Sequence, residues 1–350
     1  VDCGFNASII NPIITHSTKN GNIRKVKNDK IDSKGIAKLG LSKDIPVSQF
    51  PAKLVLELRS LTRKYYDLTD ERSAHINKLK GDLHTVFPQY LDVFCDVTGK
   101  TSTMILRQYG TPDKILRGHK KTMIEKISKA SRKGLAKASE RYEKLCAAAN
   151  AAKTFGCQID SIYFNIFLTL DLVEKLDSAL DSILNRIRQL ITFNKNEKFI
   201  QQIKLLNTIP GVGFLTAVTI MCEIGDFSAF RNPKQLFAYF GLDPEVNESG
   251  KFVGTQLHMS KRGSRIARRA IFAVALASIR TKRNGEGINP YLRKYYELKS
   301  GQKPKMVAIG AVMHKVCNIV FAVLRDEKAF ELRSPEEHCK QYQRPALAAA

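Results

Sequence analysis

The sequence predicts a protein with a small α/β part at its N terminus and a mainly α-helical remainder, and three observations support this. An apolar run, "SIINPI" at residues 8–13, reads as the end of a strand interrupted by Pro12. Residues 53–87 place apolar side chains at helical spacing, and Pro88 follows directly. Over residues 162–193, apolar residues recur at alternating intervals of three and four positions, which is the a/d pattern of a coiled coil or a long bundle helix. That pattern leaves open whether the helix packs within one chain or between two.

The charge balance indicates a polyanionic partner. The chain has 350 residues, of which 43% are hydrophobic, and its 57 lysines and arginines against 33 acids give a net charge of +24. An excess of this size favours nucleic acid, because each phosphate that is neutralised releases condensed counterions. Apolar runs such as "AIFAVALASI" at 270–279 are shorter than the roughly 20 residues that cross a bilayer. The opening residues also lack the pattern of a signal peptide.

The seven cysteines do not form a recognisable metal or disulfide pattern. They are scattered and odd in number, no C-x-x-C pair occurs, and none stands at zinc-ligand spacing with the seven histidines. We interpret them as reduced thiols, which predicts a cytoplasmic protein.

A lysine-rich helical run extends over residues 114–144. Two interpretations stay open from the sequence: a solvated helix surface, or a surface that contacts a phosphate backbone.

A Pro-Gly-x-Gly turn divides two apolar helices in "LLNTIPGVGFLTAVTIMCEIG", residues 205–225. In a helix-hairpin-helix motif, such glycines let backbone N–H groups approach a phosphate at the start of the second helix. An ordinary helical hairpin would also use glycine in its turn. In a chain this basic we favour phosphate contacts at Gly211 and Gly213, which would carry no sequence information.

The segment 249–283 is the most basic part of the C-terminal half. Ser264 is predicted to cap a helix whose first turns are strongly cationic. Arginine there suits bidentate contacts with phosphate oxygens. The predicted nucleic-acid contacts in this segment are Lys261, Arg262, Arg265, Arg268 and Arg269. Ser249 lies just upstream in "NESG", where a serine beside glycine is by itself an ordinary turn residue. Further on, Tyr291, Tyr295 and Tyr296 suit either base stacking or packing against the last helix.

Asp29 and Asp32 stand three residues apart at the predicted start of a helix. Their carboxylates would share one helix face, close enough to bind one hard cation such as Mg²⁺. On spacing alone, a charge pair stabilised by the helix dipole is the preferred interpretation.

The order of these pieces resembles a known family. "INP" is followed by "KNDKIDSKGIA", "LKGDLHTVFP", "IPGVGFLTAVTIMCEIGDFSAFRNPKQLFAYFGLDP", "ESGKFVGTQLHMSKRGSRIARRAIF" and "NPYLRKYYELKSGQKPKMVAIGAVMHKV". The chain resembles the DEDD-type transposases of bacterial insertion sequences, whose recombination is directed by a bridge RNA. The resemblance covers about residues 8–325, and the order and spacing of the motifs carry it.

The resemblance implies a fold, a mechanism and partners. It implies a Holliday-junction-resolvase-like (RuvC-like) N-terminal domain with four metal-binding acids, whose last two correspond to Asp29 and Asp32. It also implies a C-terminal domain whose S-G serine, here Ser249, attacks a DNA phosphate and forms a phosphoserine link. Metal held by carboxylates would activate that serine. Mg²⁺, DNA, a structured guide RNA and a homo-oligomer in the bacterial nucleoid are the implied cofactor, partners and location.

One feature departs from the family pattern. The family's first Asp and its Glu lie upstream of "INP", and this chain begins at Val1, about ten residues before it. The expectation is therefore a chain without its N-terminal segment, with two of the four metal ligands missing.

The sequence thus predicts a DNA transposase or recombinase with four parts. These are a partial RuvC-like domain with a helical insertion (1–155), a coiled-coil helix (156–200), a C-terminal transposase domain (201–333) and an irregular tail (334–350). The first rival is a non-catalytic nucleic-acid binder that represses transposition. The second is a metal-dependent junction nuclease that forms no protein–DNA bond.

Overall fold

The computed structural model describes residues 29–41, 51–245, 248–249, 252–253 and 258–343. This part of the chain is mainly helical, as predicted for the remainder, and its strands are β1 (Glu248–Ser249) and β2 (Phe252–Val253). The α/β part predicted from residues 8–13 lies outside the described residues. The helices are α1 Asp29–Leu41, α2 Lys53–Val86, α3 Tyr90–Val93, α4 Lys100–Gln108, α5 Pro112–Arg117, α6 Lys120–Ser131, α7 Leu135–Phe155, α8 Asp160–Phe193, α9 Lys198–Leu206, α10 Phe214–Ile224, α11 Pro233–Tyr239, α12 Arg265–Ile279, α13 Pro290–Ser300, α14 Lys305–Asp326 and α15 Pro335–Gln343.

Two helices of 34 residues each, α2 and α8, form an antiparallel pair about 50 Å long. The helix predicted over 53–87 is confirmed as α2. Every seventh residue of α8 is buried, at Ile166, Val173, Leu180 and Ile187, which is the spacing of the predicted a/d seam. Arg72 of α2 pairs with Asp177 of α8 at the middle of the two helices. The seam therefore packs against α2 within the same chain.

One hydrophobic core lies at the end of this pair where α2 finishes. We call residues 87–159, which contain α3 to α7, the helical lobe. Its core joins side chains of those helices to the last turns of α2 and the first turns of α8. The backbone N–H of Cys157 donates to the Thr85 carbonyl at 3.1 Å, which ties the start of α8 to the end of α2.

A second hydrophobic core lies at the opposite end. We call residues 198–330, which contain α9 to α14, the C-terminal unit. Its core is built mainly from α10, α12 and α14, and it includes Leu58 of α2 and Ile187 of α8. The long helix pair, whose helices are each about 50 Å long, thus contributes side chains to both cores.

Helix α14 corrects the expectation that the apolar runs are too short to cross a membrane. It is the helix among the described residues that is long and apolar enough to do so, and 56% of its apolar stretch is buried. Val312, Val316 and Val320 lie on one face of α14 in the core of the C-terminal unit. Its apolar character is therefore explained by packing.

The tail is also more regular than predicted, because α15 occupies residues 335–343. The Glu337 carboxylate accepts from the Ser334 backbone N–H at 2.8 Å, and the Ser334 hydroxyl accepts from the Glu337 N–H at 3.1 Å. This reciprocal capping box starts the helix, and the sequence analysis overlooked it.

Candidate nucleic-acid interface and nucleophile

The two glycines of the predicted phosphate-binding turn have different surroundings. Gly211 has a φ of +96°, and a Cβ there would lie 2.6 Å from the Ser278 hydroxyl oxygen of α12. Ser278 in turn donates to the Pro210 carbonyl at 3.0 Å. Gly213 precedes α10, has no side-chain cap, and faces open space. Gly211 therefore allows the turn to pack against α12, whereas the backbone at Gly213 is open to a ligand.

Ser249 lies on an antiparallel hairpin, which we call the arm, and close contacts hold the base of this arm. The base is a close crossing of two backbones, where a Cβ on Gly263 would lie 2.0 Å from the Tyr239 carbonyl oxygen. Next to this crossing, the Ser260 N–H donates to the Asp243 carbonyl at 2.8 Å, and the Ser260 hydroxyl donates to the Asp243 carboxylate at 2.6 Å. The Glu245 N–H donates to the His258 carbonyl at 2.7 Å. Farther along the arm, β1 and β2 pair antiparallel, with Ser249 opposite Phe252. The chain therefore holds Ser249 on a hairpin whose base directly precedes the basic helix α12.

Four of the five predicted cationic contacts lie at or just after the base of the arm, and they divide into two groups. Lys261 and Arg262 are exposed at the base of the arm, and the Arg265 side chain is 77% exposed. Arg268 instead donates to the carbonyls of Phe240 and Gly263, at 3.1 and 2.7 Å. Burial lowers the pKa of Arg268. Arg268 thus fastens the base of the arm, which leaves Lys261, Arg262 and Arg265 more open to an approaching phosphate.

Helix α2 contributes contacts that the sequence analysis missed. Arg59, Arg63, Tyr66 and Asp70 stand at steps of four, three and four, so they form one polar stripe along α2. The Arg59 side chain donates to the Cys222 carbonyl at 2.7 Å. The Arg63 guanidinium binds both oxygens of the Glu223 carboxylate, at 2.8 and 2.9 Å.

The other half of this stripe meets the basic helix directly. The Arg269 guanidinium lies 4.8 Å from the centre of the Tyr66 ring and pairs with the Asp70 carboxylate at 2.7 Å. Arg265 reaches the same carboxylate at 3.3 Å. The α2 polar stripe therefore docks the C-terminal unit onto the long helix pair. Its helical spacing was visible in the sequence.

Asp29 and Asp32 occupy the first turn of α1, so their backbone positions put both on one helix face. Oxygen donors at this spacing suit a hard divalent cation in kind, and two ligands are fewer than a complete coordination shell. Among the residues described, there is no group of three or more His, Cys, Asp or Glu side chains that could hold a metal. No described contact joins α1 to the arm, so the metal site and its link to Ser249 stay predictions.

Two family models match the chain, one in its N-terminal part and one in its C-terminal part. A transposase model of the IS110 DEDD type matches residues 1–88, which contain Asp29 and Asp32. A model described as "Transposase IS116/IS110/IS902 family" matches residues 203–297, which contain the arm and α12. Together they cover a little more than half of the chain.

Relatives of known name agree with these matches. The chain is 23% identical over 286 residues to an IS110 insertion-element protein of Streptomyces coelicolor, covering 81% of this chain and 66% of that protein. It is 24% identical over 311 residues to an IS116 insertion-element protein of Streptomyces clavuligerus, covering 88% and 74%.

A third relative shares a shorter region. The chain is 30% identical over 177 residues to the pilin gene-inverting protein of Moraxella bovis, covering 50% of this chain and 52% of that protein. The chain thus spans just under two thirds of the length of the Streptomyces coelicolor relative and about half that of the Moraxella relative. Two transposase models of this family match separate regions that together cover more than half of the chain, and the insertion-element relatives agree. The chain therefore belongs to the IS110/IS116 family of insertion-sequence transposases.

Proposed function

We propose that this chain cuts and rejoins DNA through a covalent phosphoserine intermediate at Ser249. The observation that carries the proposal is the pair of transposase matches, one over the Asp29 and Asp32 region and one over the region of Ser249 and the arginines. The name of the Moraxella bovis relative adds support. Inverting a gene requires that every cut strand be joined again.

A covalent serine link conserves the bond energy that rejoining needs. In the proposed reaction the Ser249 hydroxyl oxygen forms a bond to a DNA phosphorus, and the bond from that phosphorus to a deoxyribose oxygen breaks. The serine loses its proton, and the released deoxyribose hydroxyl takes one up. Attack by a deoxyribose hydroxyl on the phosphoserine then restores the serine and joins a strand. One phosphodiester is exchanged for another, so the step needs no energy-supplying cofactor.

The arm and its cations position the DNA for this step. Lys261, Arg262 and Arg265 present exposed charge near the base of the arm that holds Ser249. We propose that these cations and the open backbone at Gly213 bind DNA phosphates. Gly211 would allow the tight turn of a helix-hairpin-helix motif. Arg269 and Arg268 contribute by fixing α12 to α2 and to the base of the arm.

Asp29 and Asp32 are the proposed metal ligands, with Mg²⁺ as the ion. DEDD-type transposase domains generally use divalent metal ions, and this domain is the part of the family that matches residues 1–88. When bound, such an ion supplies activation of a hydroxyl and stabilisation of charge on phosphoryl oxygens. Ser249 and Asp32 are 217 residues apart in the sequence, so the complete site forms between domains or between subunits.

A structured guide RNA and a second copy of the chain are the other proposed partners. The net charge of +24 fits nucleic acid beyond a single DNA site. Phe164, Leu168 and Leu172 form an exposed apolar stripe at steps of four along α8. Burial of this stripe between two copies is the proposed basis of a homo-oligomer. Light scattering of Leu168→Asp/Leu172→Asp is expected to report a smaller species than the unaltered chain.

The alternative is a non-catalytic DNA or RNA binder that represses transposition. It shares every cationic feature but needs neither Ser249 nor the aspartates. Tight binding with a steep salt dependence and no covalent product from the unaltered chain would favour this alternative.

The test is covalent trapping in SDS with labelled element DNA, candidate guide RNA and Mg²⁺. We expect a DNA adduct from the unaltered chain that Ser249→Ala loses. Ser300→Ala is the matched control, because its hydroxyl donates only to the Glu297 carbonyl of its own helix. An adduct that survives Ser249→Ala would overturn the serine assignment. DNA cleavage without any adduct would instead indicate a metal-dependent nuclease.

A further inference from the structure

The helical lobe carries a cationic surface that the proposed DNA site does not use. Residues 114–144 contain eleven lysines and arginines against three glutamates, and from residue 126 to residue 139 there is no acid. This surface lies on α6 and α7, at the end of the long helix pair opposite the C-terminal unit. The sequence left open whether this charge is merely solvated or contacts a phosphate backbone, and the side-chain contacts show how much of it is neutralised within the chain.

The turn between α6 and α7 holds the centre of this charge in a defined shape. Arg132 ends α6 in the left-handed conformation, with a φ of 54°. The Ser128 hydroxyl donates to the Lys133 carbonyl at 2.7 Å, and the Lys133 N–H donates to the Ser131 hydroxyl at 3.3 Å. Below the turn, Met123 and Ile127 of α6 are fully buried. The cations therefore stand on an ordered turn of the fold.

Four cations at this turn lack acidic partners. We call Lys129, Arg132, Lys133 and Lys137 the hairpin cations; all four are exposed, and none pairs with a carboxylate among the described residues. Elsewhere in the same lobe, Lys144 pairs with Glu140 at 2.8 Å and Lys153 with Asp113 at 2.7 Å. Lys137 is near enough to Glu140 to help lower the pKa of that carboxyl, but no ion pair neutralises the hairpin cations, which therefore carry excess positive charge. A polyanion that neutralises them gains favourable interaction energy and releases counterions.

A shallow cleft of about 640 Å³ continues the same surface along α6 and the start of α7. Its lining combines Lys120 and Lys121 with the apolar Ile124 and Leu135 and one acid, Glu125. The two lysines extend the cationic surface beyond the turn, and the apolar lining gives it a concave shape.

We propose that the hairpin cations and this cleft form a second nucleic-acid-binding surface, which contacts the phosphodiester backbone of DNA or RNA. It shares a partner class with the proposed function but depends on different residues. The helical lobe lies beyond the end of α2, and that end is about 24 Å along the helix from Asp70, where α12 contacts α2. Contact at both surfaces would hold one nucleic acid across the molecule, or two separate ones.

The experiment measures the salt dependence of binding by fluorescence anisotropy, with the full chain and either labelled duplex DNA or labelled structured RNA. The variant Lys129→Gln/Arg132→Gln/Lys133→Gln/Lys137→Gln removes the four charges. For at least one of the two nucleic acids, we expect the slope of log affinity against log salt to become shallower by about 2 to 4. The affinity near 0.15 M salt should fall by about tenfold or more. Which nucleic acid responds identifies the source of the backbone.

A matched pair of variants separates this surface from the loss of net charge. Lys133→Gln/Lys137→Gln and Lys144→Gln/Lys153→Gln each remove two charges from the same lobe, and the second pair removes lysines that already have acidic partners. We expect a larger slope change from the first pair. Equal changes, or no change from the quadruple variant with either nucleic acid, would overturn the proposal. The proposal would also be overturned if the quadruple variant lost binding to anionic lipid vesicles while its binding to both nucleic acids was unchanged.

A third variant keeps the two proposals distinguishable. Arg262→Gln/Arg265→Gln removes exposed charge at the arm. If it leaves binding unchanged while the quadruple variant weakens binding, the surface on the lobe stands and the proposed DNA contacts at the arm fail. Thermal melting followed by circular dichroism checks that each variant retains its helical fold.

Discussion

The C-terminal unit and the helical lobe use positive charge in opposite ways. In the C-terminal unit, Arg268 binds carbonyls and Arg265 and Arg269 share Asp70 of α2, so much of the charge at α12 also holds the fold together. In the helical lobe, the hairpin cations have no such partners. The difference shows that a cluster of arginines in the sequence does not by itself identify a free binding surface, because neighbouring carboxylates and carbonyls decide how much charge remains available.

The largest predicted effect comes from breaking the ion pair between Arg63 and the buried Glu223 carboxylate, which docks the C-terminal unit. The Glu223 side chain is 2% exposed and is bound by Arg63. We expect Arg63→Ala to lower the free energy of unfolding by about 3 kcal/mol, because it leaves a buried carboxylate without its guanidinium partner. The loss falls at the low end for such a pair because the Arg63 side chain is 51% exposed and Ser264 still bonds Glu223. Urea denaturation measures this. Lys144→Ala is the control, because both side chains of its pair with Glu140 are exposed, and its loss should cost under about 1 kcal/mol.

The same pair predicts a pH dependence with a definite sign. Burial raises the pKa of Glu223, but hydrogen bonds from Arg63 and Ser264 and the nearby arginine charges lower it further, so its net pKa is below the ordinary value. The pair therefore stabilises the fold above the ordinary glutamate pKa, and this stabilisation is lost as the pH falls through the lowered pKa. We expect the stability gap between the unaltered chain and Arg63→Ala to be smaller at pH 4 than at pH 7. A gap that widens in acid would contradict this account.

The second effect tests the close backbone crossing at the base of the arm. Gly263→Ala would place a Cβ 2.0 Å from the Tyr239 carbonyl oxygen, so the backbone must move. We expect a loss of about 2 to 3 kcal/mol in the free energy of unfolding. Gly134→Ala, at the start of α7 in the helical lobe, meets open space and should cost under about 1 kcal/mol. Similar losses from the two substitutions would show that the crossing is not tightly constrained.

A smaller effect should follow from releasing the arginines that Asp70 holds. Asp70→Asn removes the carboxylate that pairs with Arg265 and Arg269, and we expect the salt slope of DNA binding to steepen by about 1 to 2. Asp113→Asn makes the same charge change in the helical lobe, where it releases Lys153. If both variants bind alike, the effect reports net charge rather than the freed arginines.

The smallest predicted difference concerns the cysteines. Cys95 and Cys157, in the helical lobe, are exposed and should react with iodoacetamide in the native protein. In the C-terminal unit, burial raises the pKa of Cys222 to about 12 and also raises that of Cys317, so both thiols stay protonated and protected. Mass spectrometry of the labelled protein should find modification of Cys222 and Cys317 after denaturation. Equal native reactivity in both regions would mean that the C-terminal core opens readily.

The helices were predictable because their signals are local. The apolar spacing of α2 and α8 and the cap at Ser264 are properties of short stretches, and the structure confirms them. Pairings across long separations were not predictable in this way. Arg63 and Glu223 are 160 residues apart, and only the packing of α2 against α10 brings them together.

The candidate site shows the same division. Clustered arginines in α12 were evident, but Arg268 lies at the edge of the face that buries Ala267 and Ile271, so its inward contacts depend on the neighbouring backbone. Ser249 had no local signal that distinguishes a nucleophile from a turn residue. Its role rests on the resemblance, and the structure adds only its place opposite Phe252 on the arm.

The most direct test of the central claim is to locate the trapped DNA on the protein by mass spectrometry. Trypsin cleavage after Lys234 and Lys251 releases residues 235–251, a peptide in which Ser249 is the sole serine and which contains no threonine. The account predicts that, after nuclease digestion, this peptide carries a nucleotide attached through phosphate to Ser249. A nucleotide on any other residue, or DNA cut and rejoined with this peptide unmodified throughout the reaction, would contradict it.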